Sequence, residues 1–290
     1  MQLVVGGVLN GLSFGFILFL VASGLTITLG LMRTLNLAQG AMYMIGGYIA
    51  WALAAHFPGG FWIGLLVSGV VVTGIGLLID LLIFRQLAND LPGVILGTFG
   101  ILIILTNVVD WVWNSEPKGP AVPEVLGGSV SILGVHYPVI RLSALAFAGS
   151  LALLLWFVQE RTRLGSLVKA GVDDSEMAQA LGINVALTGR VVFAIAAFVT
   201  GLSGAFGQAL TGLTTDIGLT TLLLALIVTI LGGLGSLEGA LVGSIVLGLA
   251  QAFGTVWFPE YVAVVPYAIM IVVLAVRPTG LFGKLHTRTG

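Results

Sequence analysis

QERTRLGSLVKAGVDDSEMAQALGINVALTGR, residues 159–190, is the longest stretch of this 290-residue chain that could not sit in hydrocarbon. Its flanks are almost wholly apolar, so its place decides how everything around it must fold. Asp173 followed three residues later by Glu176 has the spacing of a capping box, in which carboxylates accept from N–H groups that a first helical turn leaves unpaired. A short helix is predicted through Asp174, Ser175, Glu176, Met177, Ala178, Gln179, Ala180 and Leu181, closing at Gly182, the residue best able to take a left-handed conformation. Composition alone leaves two readings open. One is an ordinary solvated loop; the other is a capped surface helix between two membrane spans, through which movement passes to or from a soluble partner.

The chain is 58% hydrophobic and 8% charged, whereas a soluble domain carries about a quarter charged residues. It reads as an all-α polytopic membrane protein forming one transmembrane domain over residues 1–290. At about 20 residues per span the length allows about eight to ten crossings with short loops. Glycine fills 42 positions, about twice the usual share, which in a membrane protein points to closely approaching or broken helices. The absence of cysteine excludes disulfides and thiolate chemistry, and His56, His136 and His286 show no metal-ligand spacing. A net charge of −1 offers no surface for nucleic acid. MQLVVGGVLNGL lacks the basic start of a signal peptide, so the first apolar run is expected to be a span.

Outward from the central stretch, nine apolar runs cover residues 3–31, 35–56, 61–84, 94–113, 142–158, 191–210, 220–234, 240–258 and 262–276. Eight or nine transmembrane helices are expected from them. Gly7, Gly11 and Gly15 lie on one face of the first, a small-residue packing stripe that Gly235, Gly239 and Gly243 repeat. Close packing is the first reading of both stripes; a seam between two subunits, or the flank of a pore, is the second. Residues 114–141 form a loop with Pro117, Pro120 and Pro123, in which alternating Val130, Ile132 and Val135 around Gly134 predict a small hairpin outside the bilayer. The run 220–234 is about three-quarters of a normal span before it meets Gly232-Gly233-Leu234-Gly235-Ser236, so a discontinuous helix is expected there.

If residues 159–190 are cytoplasmic, successive crossings put Arg33, Arg85, Arg161, Arg163, Lys169, Arg190, Arg277, Lys284 and Arg288 on that side, and only Lys118 and Arg141 opposite. That satisfies the positive-inside rule, with the C-terminus cytoplasmic and the N-terminus outside.

Four stretches carry a family resemblance: GLMRTLNLAQGAMYMIGGYIA (residues 30–50), KAGVDDSEMAQALGIN (169–184), ILGGLGSLEGALVGSIVLG (230–248) and VRPTGLFG (276–283). In this order and spacing the chain resembles the permease subunits of bacterial ABC importers of the branched-chain amino acid (leucine/isoleucine/valine) family, specifically the shorter of two paired permeases. The resemblance covers almost the whole chain. It implies an inner-membrane complex with a longer homologous permease, two cytoplasmic ATPases and an extracytoplasmic binding protein that delivers the solute. It also implies that Asp173, Asp174, Ser175, Glu176, Ala178, Leu181, Gly182 and Ile183 form the coupling helix that rests on an ATPase. Glu238 departs from the proline or bulky neutral residue often found there, and the wider family includes importers of urea, short amides and small organic acids.

No glycine-rich phosphate loop ends in Gly-Lys-Ser or Gly-Lys-Thr, so ATP and Mg are expected on the partner subunits and no cofactor in this chain. No nucleophile with a neighbouring base can be assembled either, which argues against an enzyme. For a translocation path the informative groups are polar side chains inside spans, because burying one without partners costs about one to several kcal/mol. Asn10, Asn36, Gln39, Asn107, Gln208 and Thr211 qualify, each also readable as a helix–helix hydrogen bond or a helix end. Asn36, Gln39, Gly40 and Tyr43 share a polar helical stripe inside a family motif and are expected to line or gate the path. Asp80, Asp110 and Asp216 fall near span ends, where solvation accounts for them. An ATP-independent secondary transporter or channel is the rival class, since it too uses glycine-broken helices. The absence of a buried ionisable coupling residue at span centres, together with the capped segment, favours the ATP-driven reading.

Overall fold

The structure is a computed structural model, and it describes residues 2–32, 34–87, 90–132 and 135–283. Arg33, Gly134, Lys284, His286 and Arg288 lie outside the described residues. Each apolar run is a single helix: α1 (Gln2–Met32), α2 (Gln39–His56), α3 (Gly60–Ile79), α4 (Leu91–Trp113) and α5 (Val139–Arg161) precede the central stretch. The stretch itself folds into α6 (Arg163–Asp173) and α7 (Ser175–Ala180). Then follow α8 (Val185–Thr211), α9 (Ile217–Gly232), α10 (Leu237–Trp257) and α11 (Val265–Val276). The protein is an all-α, multi-pass membrane protein. Its one described sheet is the expected hairpin, β1 (Ser129–Ile132) paired antiparallel with β2 (Val135–Pro138).

Among the described residues, the nine helices formed by the apolar runs differ in reach. Among the described residues six are long and apolar enough to cross a membrane. With 16 and 12 residues, α9 and α11 extend only about 24 and 18 Å, short of a hydrocarbon core of about 30 Å. The expected break at residues 232–236 is a tight turn between α9 and α10, where Gly233 and Gly235 take φ of 102° and 82°. The irregular backbone inside the bundle lies elsewhere, at residues 34–38 ahead of α2. Non-helical backbone is tolerated at such a place only where protein covers it, and Thr34, Asn36 and Ala38 are indeed buried.

Glycine sets the closest approaches. A Cβ at Gly11 would come 2.7 Å from the Leu249 Cα, and one at Gly15 2.8 Å from the Ser244 carbonyl oxygen, so α1 lies against α10 almost backbone to backbone. Similarly, a Cβ at Gly46 of α2 would sit 2.6 Å from the Gly201 oxygen of α8. On the α3 side, Ser68 donates to the Gly201 oxygen at 3.2 Å, and Phe61 meets Phe206 edge-on with centroids 5.4 Å apart. Ten consecutive residues of α8, 200–209, are buried, which makes this helix the axis of the bundle. By contrast α4 buries 22% of its most apolar window and sits at the periphery.

Contacts sort the ends of the bundle. Gly30, Lys169, Asp173, Gly235, Glu238 and Phe282 all border one cavity of about 820 Å³, so α1, α6, the α9–α10 turn and the last described segment finish at the same end. Arg85 and Arg190 join them through a shared partner, Asp80. At the other end Lys118 and Leu213 exchange two backbone hydrogen bonds of 2.9 Å, and Arg141 donates to Asn10. The described cations therefore divide between the two ends as the sequence suggested.

Candidate coupling segment and buried polar site

Local chemistry fixes the central stretch at both ends. Thr162 caps α6 by accepting from the Gly165 N–H, and Asp174 caps α7 by accepting from the N–H groups of Glu176 and Met177 at 3.1 and 2.9 Å. The cap is thus Asp174 and not Asp173, which the capping-box spacing had singled out. Asp173 is the last residue of α6, so its backbone belongs to the preceding helix. Gly182 takes φ of 85°. Its N–H donates to Gln179 and that of Ile183 to Ala178, at 2.9 and 3.0 Å. This paired 6→1 and 5→2 bonding is a Schellman closure. Immediately afterwards Asn184 caps α8 by accepting from Leu187 N–H at 2.9 Å.

The outcome is a helix of one and a half turns standing clear of the bundle. Only Ala178 is buried in it; Glu176 is exposed, Ser175 accepts from Gln179 at 3.2 Å, and Met177 and Leu181 stand 57% and 75% exposed. A second cavity of about 590 Å³ lies under this corner, bordered by Leu31, Thr34, Phe84, Gln179, Ile183 and Val185.

The four residues expected at a path meet inside the protein. Asn36 and Gln39 have no exposed surface. The Asn36 amide donates to Gln39 Oε1 at 3.2 Å and its Oδ1 accepts from Ala38 N–H at 3.1 Å, while Gln39 Nε2 donates to Thr200 Oγ1 at 2.6 Å. Gly40 packs on Gly218, and Tyr43 lies against Gly204 and Gly207. In this conformation neither amide faces an open path; together they tie the start of α2 to α8, with their polar atoms taken up internally. Thr200 lies 15 positions into α8, about 22 Å along it, so α2 begins well inside the bundle. The glycine stripes are likewise covered by the chain's own helices: Gly7 by Phe253, Gly11 and Gly15 by α10, Gly235 by Gly30, Gly239 by Gly232, and Gly243 by Leu231.

The sequence matches, over residues 7–274, the family described as branched-chain amino acid transport system / permease component. The chain belongs to this family. It is 31% identical to the high-affinity branched-chain amino acid transport system permease protein BraD of Pseudomonas aeruginosa, over 95% of this chain and 94% of that one. Against LivH of Escherichia coli the identity is 30% with the same coverage, and against the probable LivH of Methanocaldococcus jannaschii 26% over 92% and 89%. PsaBC from Streptococcus pneumoniae in complex with Fab shares the fold, with a TM-score of 0.52, 14% identity, and 94% and 92% of the two chains covered.

One feature of this branched-chain amino acid permease component escaped the sequence reading. Asp80, assigned there to a solvated span end, is 3% exposed. Its Oδ2 lies 3.3 Å from Arg85 Nε and 3.5 Å from Arg190 Nε. No local spacing signals the second pair, since Arg190 stands far along the chain. The remaining polar candidates are structural ties: Asn10 accepts from Tyr137 at 3.0 Å, Gln208 grips the backbone of Ala121 with both amide atoms, and Thr211 and Asn107 bond within their own helices.

Proposed function

We propose that this permease component forms half of the translocation path of an ATP-driven importer for branched-chain or other hydrophobic amino acids, paired with a longer homologous permease. Two ATPase subunits, carrying the ATP and Mg, bind at the end of the bundle where α6 and α7 lie, and an extracytoplasmic binding protein delivers solute at the hairpin end. The end carrying Arg85, Arg190 and Lys169 then faces the cytoplasm, by the positive-inside rule. The complex sits in the inner membrane, with the C-terminus cytoplasmic, residues 114–141 outside and residues 159–190 inside.

The observation that carries this reading is α7. Closed by Asp174 at one end and Gly182 at the other, it exposes Met177 and Leu181 to the outside of the protein while keeping a single residue for its own packing. Apolar side chains so displayed on a rigid, capped helix suit a groove on another chain. Asp173, Asp174, Ser175, Glu176, Ala178, Leu181, Gly182 and Ile183 would constitute the coupling element. Asn36, Gln39, Gly40 and Tyr43 would act on the path by fixing where α2 starts, not by touching solute in this conformation.

ATP-dependent uptake in proteoliposomes holding both permeases, the ATPases and the binding protein tests it, comparing wild type with Glu176→Arg and Leu181→Asp. Uptake and binding-protein-stimulated ATP hydrolysis are expected to fall together by about tenfold or more, within the usual range for coupling between sites. Solute transport by this chain without ATPases, indifferent to both substitutions, would give the function to a secondary transporter or channel instead.

A further inference from the structure

We propose that Asp80 is the positioning residue through which movement of the α7–α8 corner reaches α3, an inference that rests on the importer reading above. The α3 helix ends in a π-helical turn, Asp80–Phe84, in which Arg85 N–H donates to the Asp80 carbonyl at 3.0 Å. Residues five apart point about 140° away from each other in an α-helix. The wider i→i+5 turn brings them onto one face, and such turns recur at functional sites. Here it folds the Arg85 guanidinium back onto the Asp80 carboxylate.

The same carboxylate oxygen holds Arg190, in the second turn of α8 and six residues beyond the α8 cap Asn184. Three residues further along, on the same face of α8, Phe193 packs edge-on against Phe84 with centroids 5.3 Å apart and planes at 75°. Phe84 in turn borders the cavity beneath Gln179 and Ile183. The corner that follows α7 is thus fastened to the end of α3 twice, once by charge and once by an aromatic contact. A push on α7 passes into α8, and the clamp delivers it to α3, whose far half packs against the buried middle of α8.

The asymmetry of burial makes the clamp testable. Asp80 is 4% exposed at its side chain, but Arg85 and Arg190 are 43% and 36% exposed. Removing one member of a buried pair is ruinous when a buried charge is left behind; Asp80→Asn leaves two arginines that water can reach, so the fold survives. Arg190→Gln is the second variant, and it leaves Asp80 paired with Arg85.

Because this chain has no cysteine, spin labels can be placed at Leu78→Cys on α3 and Leu187→Cys on α8, both exposed positions, and attached to the purified chain before it is joined to its partners, so that no other thiol is labelled. In the full complex the wild-type label pair should give one narrow distance distribution that nucleotide does not alter. Asp80→Asn should broaden it and, in unlabelled protein, lower solute taken up per ATP hydrolysed by about tenfold, within the range for coupling between sites. Arg190→Gln should do the same more weakly. A distribution as narrow as wild type in Asp80→Asn with unchanged uptake per ATP overturns the proposal. So does a loss of assembled complex in proportion to uptake, with uptake per ATP intact in what remains. If wild type never links uptake to hydrolysis while Asp80→Asn still broadens the distribution, the importer reading fails and the clamp stands.

Discussion

From Thr200 to Ala209 α8 has no residue open to its surroundings, whereas α7, on the same polypeptide and just before it, buries Ala178 alone. The first is held by contacts over its whole circumference: Gly46 and Gly204 at backbone distance, Gln39 through Thr200, and the Phe61 and Phe147 rings on Phe206. The second is held almost entirely by its own termini, with Asp174 and Gly182 satisfying groups that a short helix would otherwise leave unpaired. Helices of fewer than about 12 residues are marginal unless capped or packed. What the contrast teaches is a division of labour: tertiary packing makes a rigid axis, and local capping makes an element that can be moved without being unfolded. Substitutions in the axis should therefore remove folded protein and transport together, and those in α7 should remove transport alone.

The largest effect belongs to the axis. In Gly46→Val the new Cβ would lie 2.6 Å from the Gly201 oxygen and 2.8 Å from its Cα, and backbone cannot give way as a side chain can. Overpacking of this kind costs about 1–3 kcal/mol or more. Thermal unfolding in detergent, followed by size-exclusion chromatography, should show the monodisperse peak lost at lower temperature, with uptake falling in step. An unchanged melting curve would mean that α2 and α8 slide apart easily, and the axis would not be rigid.

Next comes Gln39→Ala. It deprives Thr200 of a partner and leaves the Asn36 amide only the Met42 sulfur, 3.9 Å away, as acceptor. Interhelical hydrogen bonds in membrane proteins are worth about 0.6–2 kcal/mol, so a modest fall in melting temperature is expected. Since both changes break one contact, Gln39→Ala with Thr200→Val should cost little more than the first alone. Full additivity would show that Gln39 works through some other neighbour.

How much of this could be read from residues follows the same contrast. The nine apolar runs were legible because charge interrupts them so seldom, and the hairpin because Val130, Ile132 and Val135 alternate around Gly134. Capping is a local matter, so the position of α7 was legible to within a residue; the capping-box spacing pointed to Asp173, but α6 runs up to that residue and leaves the cap to Asp174. What stayed hidden was set by partners far away. Nothing near Gln39 announces Thr200, and the Asp80 carboxylate looked solvated because a spacing of five is not a helical pair until a π turn makes it one. The break in the backbone was sought at the glycines of residues 232–236, yet those serve a turn, and the buried irregular segment at 34–38 has no glycine or proline to mark it.

A smaller effect is expected from Asp174→Ala. The cap contributes about 1 kcal/mol to the helix it starts, and α7 has little else. Global unfolding should barely shift, because the bundle does not lean on this segment. Amide exchange at Glu176 and Met177, whose N–H groups the carboxylate accepts, should speed up by about fivefold, the factor that 1 kcal/mol supplies. If the bundle melts with the cap, α7 is part of the axis after all.

The smallest effect on stability belongs to Leu181→Asp. The side chain is 75% exposed, and its backbone already sits in the closing turn, where the Leu181 N–H donates to Met177 at 3.0 Å regardless of side chain. Because the closing turn is held by backbone hydrogen bonds and the bundle does not lean on this side chain, the melting curve should superimpose on wild type. An aspartate there nevertheless adds a negative charge to a helix that already exposes Asp174 and Glu176, and it removes the larger of the two apolar surfaces that α7 offers to another chain. Binding of the ATPase subunits to the purified permease pair should weaken while the permeases remain folded. A melting curve and an ATPase affinity both equal to wild type would leave Leu181 exposed for no partner, and the difference between α7 and the middle of α8 would then be one of burial only, not of task.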